Sequence, residues 1–148
     1  MDIINYFDAL KFLASDHFAY SASEDIVNYD PEKLESDLGR LNLLHEISHC
    51  LLGHIDYDYD LELLIMEVKA WNKTRELAPI FKIKIDEDYI TTCIESYDLW
   101  VSSRATCPEC DNFNLQQKLN EFRCFNCQTR WRVNKRKDKR VTRTIIHP

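Results

Sequence analysis

The chain has 148 residues, 45% of them apolar or aromatic and 30% charged, with a formal net charge of −6 and two glycines. That is enough to bury one modest core and a small appended module. No run of about 18 apolar residues occurs, and the start, Met1-Asp2-Ile3-Ile4-Asn5, carries no basic stretch or small-residue cleavage site, so a soluble, cytoplasmic chain with no membrane partner is expected. Two glycines also exclude the glycine-rich phosphate loops of nucleotide-binding proteins. The charge is unevenly spread. Residues 1–103 carry 8 Lys+Arg against 21 Asp+Glu, a net −13, and residues 104–148 carry 11 against 4, a net +7. Two modules with different partners are implied.

In chain order, Asp2 is a candidate N-cap for a helix whose apolar stripe runs through Ile3, Ile4, Phe7, Leu10, Phe12 and Leu13. Residues 17–29, with Phe18, Tyr20, Ile26, Val27 and Tyr29 around a Ser-Ala-Ser-Glu-Asp turn, predict a short hairpin or two short strands. From Pro31 or Glu32, apolar residues at Leu34, Leu38, Leu41, Leu44, Ile47 and Leu51 recur at three and four, predicting a helix interrupted near Gly39 and ending at Gly53. A second helix is expected from Leu61 to Ala78, stopped by Pro79, and a third from Glu87 to Ser103, capped by Asp86.

His45-Glu46-Ile47-Ser48-His49 is an H-E-x-x-H pattern on the predicted helix. Four residues is just over one turn, so both imidazoles leave the same face and can bind one zinc ion, with Glu46 beside them. Zinc lowers the pKa of water to about 7, within reach of a glutamate base, which is peptide-hydrolysis chemistry. Leu43, Leu44, Cys50, Leu51 and Leu52 around the motif place these histidines in a core helix, where polar groups need partners.

A catalytic zinc usually has three protein ligands. His54 is five residues after His49 and out of phase with it. Glu62 and Glu67 are the carboxylate candidates, and Glu67 is favoured because it falls in the apolar arc of Leu63, Leu64, Met66, Ala70 and Trp71. The stretch from Ile26 to Ala78 resembles the ImmA/IrrE-type metallopeptidases. The likeness is carried by Asn28-Tyr29-Asp30-Pro31, by the run from Leu43 to His54, and by a Glu-x-x-Ala element at Glu67-Val68-Lys69-Ala70. It implies His45, His49 and Glu67 as zinc ligands, Glu46 as general base, and a protein substrate, often an intracellular regulator. Trp71-Asn72 departs from the Phe-Ala pair that often follows in that family, and no helix-turn-helix precedes Ile26.

Cys107-Pro108-Glu109-Cys110 and Cys124-Phe125-Asn126-Cys127, separated by residues 111–123, have the spacing of a four-cysteine zinc ribbon, with Phe122 and Trp131-Arg132-Val133 as strand residues over its core. Cys50 and Cys93 read as buried packing residues. The run Arg132, Lys135, Arg136, Lys137, Lys139, Arg140 and Arg143 reads either as a contact for nucleic acid or an acidic partner, or as a solvated tail.

Together these readings predict an α+β chain. A mostly helical, zincin-like peptidase domain with a small sheet (1–103) precedes a zinc ribbon (104–134) and a disordered basic tail (135–148), with two zinc ions, one catalytic and one structural. Two other readings compete with an ImmA/IrrE-type endopeptidase. A SprT-like protease acting on DNA-bound proteins shares the module order but uses a downstream histidine as third ligand. A non-catalytic zinc-binding adaptor would have no use for Glu46.

Overall fold

A computed structural model describes residues 2–135 and 137–147; Arg136 of the basic run lies outside the described residues. Among the described residues the fold is α+β, with four α-helices and two small sheets. The chain forms two compact units, Met1–Asp56 with Met66–Thr91, and Tyr57–Ile65 with Thr92–Pro148. This differs from the division at 103 and 104 expected from sequence. Among the described residues, no helix is long and apolar enough to cross a membrane.

In the first unit, Asp2 caps a helix as expected, accepting a hydrogen bond from Ile4 N at 3.0 Å, but α1 spans only Ile3–Tyr6. Lys11–Ala14 is instead strand β1, paired in parallel with β3 (Ile26–Tyr29), which pairs antiparallel with β2 (Ala19–Ser21). The apolar spacing here suits a helix or a strand, and pairing with β3 decides it, setting Phe12 opposite Val27 and its ring against that of Tyr29.

Pro31–Glu35 forms a 3-10 turn, and the long helix begins after it, as α2 over Asp37–Leu51. The break is therefore at Ser36, whose side chain caps Gly39 N at 3.0 Å. Gly39 lies inside the helix because the preceding turn presses on it: a Cβ there would sit 1.7 Å from the Lys33 carbonyl oxygen. Gly39→Ala should destabilise the protein by about 1–3 kcal/mol, through displacement of that turn. Thermal or urea unfolding checks this, and an unchanged midpoint would contradict it. Gly53, at φ +66°, ends the segment in the left-handed conformation that glycine adopts without strain.

Helix α3 spans Asp60–Leu77 and α4 spans Glu87–Ala105, each within about two residues of expectation, with Asp86 accepting from Tyr89 N. The first unit's core combines Leu41, Leu43, Leu44 and Ile47 of α2 with Val27, Ala70 and Trp71, all buried. Leu51, expected to join this core, is exposed because it sits in the final turn. Deep in the unit, the Ser48 and Thr74 hydroxyls lie 3.1 Å apart across α2 and α3, so that one donates to the other and the second donates to the carbonyl four residues before it. This buried polar clasp fixes the helices' register next to the histidines.

The second unit holds the sheet β4 (Gln116–Lys118), β5 (Glu121–Arg123), β6 (Arg130–Val133) and β7 (Arg143–Ile145), all antiparallel in that order. Strand β7 corrects the expectation of a disordered tail. Thr144 and Ile145 pair with Arg132 and Trp131, so backbone hydrogen bonding orders this part of the basic segment. Phe122, Trp131 and Val133 are buried on one face, with the first two rings stacked at 5.5 Å.

Arg104 is buried at the end of α4. It forms a forked ion pair with Asp60, with Nε to Oδ2 at 2.6 Å and Nη2 to Oδ1 at 3.2 Å, and donates to Asn120 and to the Asn134 carbonyl. Its own carbonyl accepts from the Trp131 indole at 2.9 Å.

Candidate metal centres

One turn of α2 places His45 and His49 on the side facing α3, and Glu67 reaches them from α3. His45 Nε2 is 3.0 Å from Glu67 Oε2, His49 Nε2 is 3.1 Å from Glu67 Oε1, and the two Nε2 atoms are 3.1 Å apart. One ligand atom from each of the three residues falls within 4.8 Å of the others, so the group could hold a metal ion. The donor set fits one: three lone-pair donors converge in a largely buried position, where a cation satisfies them together.

Burial raises the carboxyl pKa of Glu67, but hydrogen bonds from His45 and His49 outweigh it and hold the group at about 2. Burial would lower His49, and the bond to Glu67 raises it instead. The His45 ring stacks on Trp71 at 3.9 Å and 19°, which fixes its plane, while its buried Nδ1 has no hydrogen-bond partner among the described residues.

Glu46 points towards β2, an edge strand of its sheet, where Oε2 accepts a hydrogen bond from Tyr20 N at 2.8 Å. Burial, the largest influence, pushes its pKa up against the opposing effect of His45 and His49. Sequence reasoning did not anticipate Tyr20, because the residues are 26 positions apart and no local pattern links them.

Of the other two candidates, Glu62 is exposed and accepts from Asp58 N at 3.3 Å, a helix-start role. His54 reaches the far side of His49, with Nδ1 to Nδ1 at 2.8 Å. Burial first, and then the charge of His49, lowers its pKa, which favours a neutral ring able to accept a proton from His49.

The second group is Cys107, Cys110, Cys124 and Cys127, whose sulfurs also lie within 4.8 Å of one another and could hold a metal ion. All are free thiols. The two knuckles repeat one backbone pattern: Cys107 N bonds Asn112 O and Asp111 N bonds Cys107 O, as Cys124 N bonds Thr129 O and Gln128 N bonds Cys124 O. Asp111 and Gln128 occupy equivalent positions with φ of 61° and 66°. Glu109 N and Cys127 N donate to the sulfurs of Cys107 and Cys124. The Asn112 backbone N–H, followed by the Asn126 and Asn112 side chains, holds the Cys110 thiol at about 6. Donors aimed at sulfur favour the thiolates that bind metal at Cys110 and Cys124, whereas burial outweighs them at Cys107 and pushes that thiol up to about 11.

Cys50 and Cys93 are half-buried rather than buried, and the Cys50 thiol donates to Asp25 at 3.7 Å. Comparison of the chain with protein-family models, curated proteins and solved structures finds no match.

Proposed function

We propose that this chain is a zinc-dependent metallopeptidase hydrolysing peptide bonds of an intracellular protein. His45, His49 and Glu67 would hold the catalytic metal, Glu46 is the general base, and the four cysteines would hold a structural zinc. The observation that carries this reading is the convergence of His45, His49 and Glu67 in one cluster, with Glu46 next to His45 in α2 and under the electrostatic influence of both histidines. Zinc bound there supplies Lewis acidity, polarising a peptide carbonyl and making water easier to deprotonate. The chain's own residues supply the rest. Tyr20 N holds one carboxylate oxygen of Glu46, leaving the other to take a proton and return it to the leaving amine. Trp71 fixes His45, and His54 orients His49 by accepting its Nδ1 proton.

The ligand set supports an ImmA/IrrE-type peptidase over a SprT-like one, since a carboxylate stands where the latter uses a histidine. Glu46 argues against a non-catalytic adaptor. A protein prepared without chelator should contain two zinc ions per chain. Glu67→Gln should weaken one of them by at least the 10- to 100-fold typical of outer-shell losses, and abolish proteolysis, while Glu62→Gln should do neither. Competition with a chromogenic chelator measures the affinity, and release of peptide products measures the proteolysis. If Glu62→Gln or His54→Ala releases the zinc and Glu67→Gln keeps it, the ligand assignment fails.

A further inference from the structure

We infer that the outer face of the β4–β7 sheet binds single-stranded nucleic acid. Along β5 and β6, burial alternates residue by residue: Phe122, Trp131 and Val133 face inward, and Arg123, Arg130 and Arg132 are exposed. The register sets Arg123 directly opposite Arg130, and Arg132 opposite Glu121. Lys118 of β4 is beside Glu121.

Four cations thus share one face with a single carboxylate. Glu121 pairs with Lys118 at 3.0 Å and more distantly with Arg130 and Arg132, at 3.7 and 3.9 Å, so it cannot neutralise them all. Arg123 has a neutral partner instead, donating twice to Gln128 Oε1, at 3.0 and 2.6 Å. Like charges placed directly opposite on neighbouring strands destabilise a sheet. A polyanion laid across the strands relieves that repulsion. Neighbouring cations are separated by roughly 5 Å across strands and 7 Å along them, so consecutive phosphates can be met in series.

A second feature distinguishes nucleic acid from an acidic protein. Gln128, which orients Arg123, also donates to the Phe125 carbonyl at 3.1 Å, and Phe125 is 64% exposed. An exposed aromatic whose backbone is tied through one glutamine to a cation of the sheet can offer its ring to an unpaired base. This inference does not depend on peptidase activity.

The test is fluorescence anisotropy with the full chain and labelled oligonucleotides of about 20 residues, oligo-dT, oligo-U and a duplex of equal length. The single strands should bind more tightly than the duplex. Their log affinity should fall with log salt at a slope of about −2 to −3, for four phosphate contacts at about −0.7 each. The double variant Arg130→Gln/Arg132→Gln should lose about tenfold or more in affinity and flatten the slope by about 1.4, with zinc content unchanged. Phe125→Ala should cost between about 5- and 150-fold. The dT and U arms distinguish DNA from RNA. Absence of binding at low salt, or full binding by the double variant, overturns the inference. So does a silent Phe125→Ala with equal competition from polyglutamate, which would point to an acidic protein.

Discussion

Replacing Cys107 and Cys110 with Ser should remove one zinc and disorder the β4–β7 sheet. The apolar core there is small, comprising Phe122, Trp131 and Val133 with the buried cysteines. Against it stands the conformational entropy of the whole segment, at about 1–2 kcal/mol for each residue's backbone. A structural zinc contributes about 10–16 kcal/mol of apparent binding free energy, far more than such a core can replace. Trp131 reports the outcome, since it is fully buried. Its emission should shift towards that of solvated indole, and amides of residues 116–145 should lose exchange protection. Protection of Leu41 to Ile47, in the core of the first unit, should persist. A sheet still protected in the zinc-free double variant would refute the structural role.

Glu46→Gln should abolish proteolysis while keeping both zinc ions. Glutamine preserves the shape of the side chain and can still accept from Tyr20 N, so the fold and ligands are undisturbed. It cannot take up a proton. Loss of a positioned general base costs typically 10²- to 10⁴-fold, enough to bring slow hydrolysis of an unfolded substrate such as casein below detection. The informative readout is the pairing of the two measurements, metal content by elemental analysis and rate by product release. Full activity with both zinc ions in place would remove Glu46 from the mechanism.

The parts of the fold that were legible in sequence are those with a local period. Helices α2, α3 and α4 carry apolar residues at three and four, and both cysteine knuckles announce themselves by spacing. The Lys11–Ala14 strand was not legible, because its partner β3 is about 15 residues away and the same apolar residues fit a helical stripe. Strand β7 was hidden by the basic run before it, although Thr142, Thr144, Ile145 and Ile146 carry a β-favouring signal. Within the candidate site, the histidine pair followed from spacing and Glu67 from its place in an apolar arc. Tyr20 and the orienting contact of His54 required tertiary structure.

The Arg104 network has a practical consequence for dissecting the chain. A fragment starting at residue 104 would retain the four cysteines and every strand of the sheet, and by motif boundaries would look complete. It would lack Asp60, the carboxylate that pairs with the Arg104 guanidinium. Deleting the segments that bury the guanidinium together with its partner returns the charge to water, but the fork to Asp60 and the contact with the Trp100 ring at 4.2 Å, which hold this end of the sheet's unit together, are both lost. Excision at the motif edge would therefore yield a weakened piece even when saturated with metal. Supplying residues 57–65 as a separate peptide offers a route to complementation, in which the missing segment returns the counter-charge.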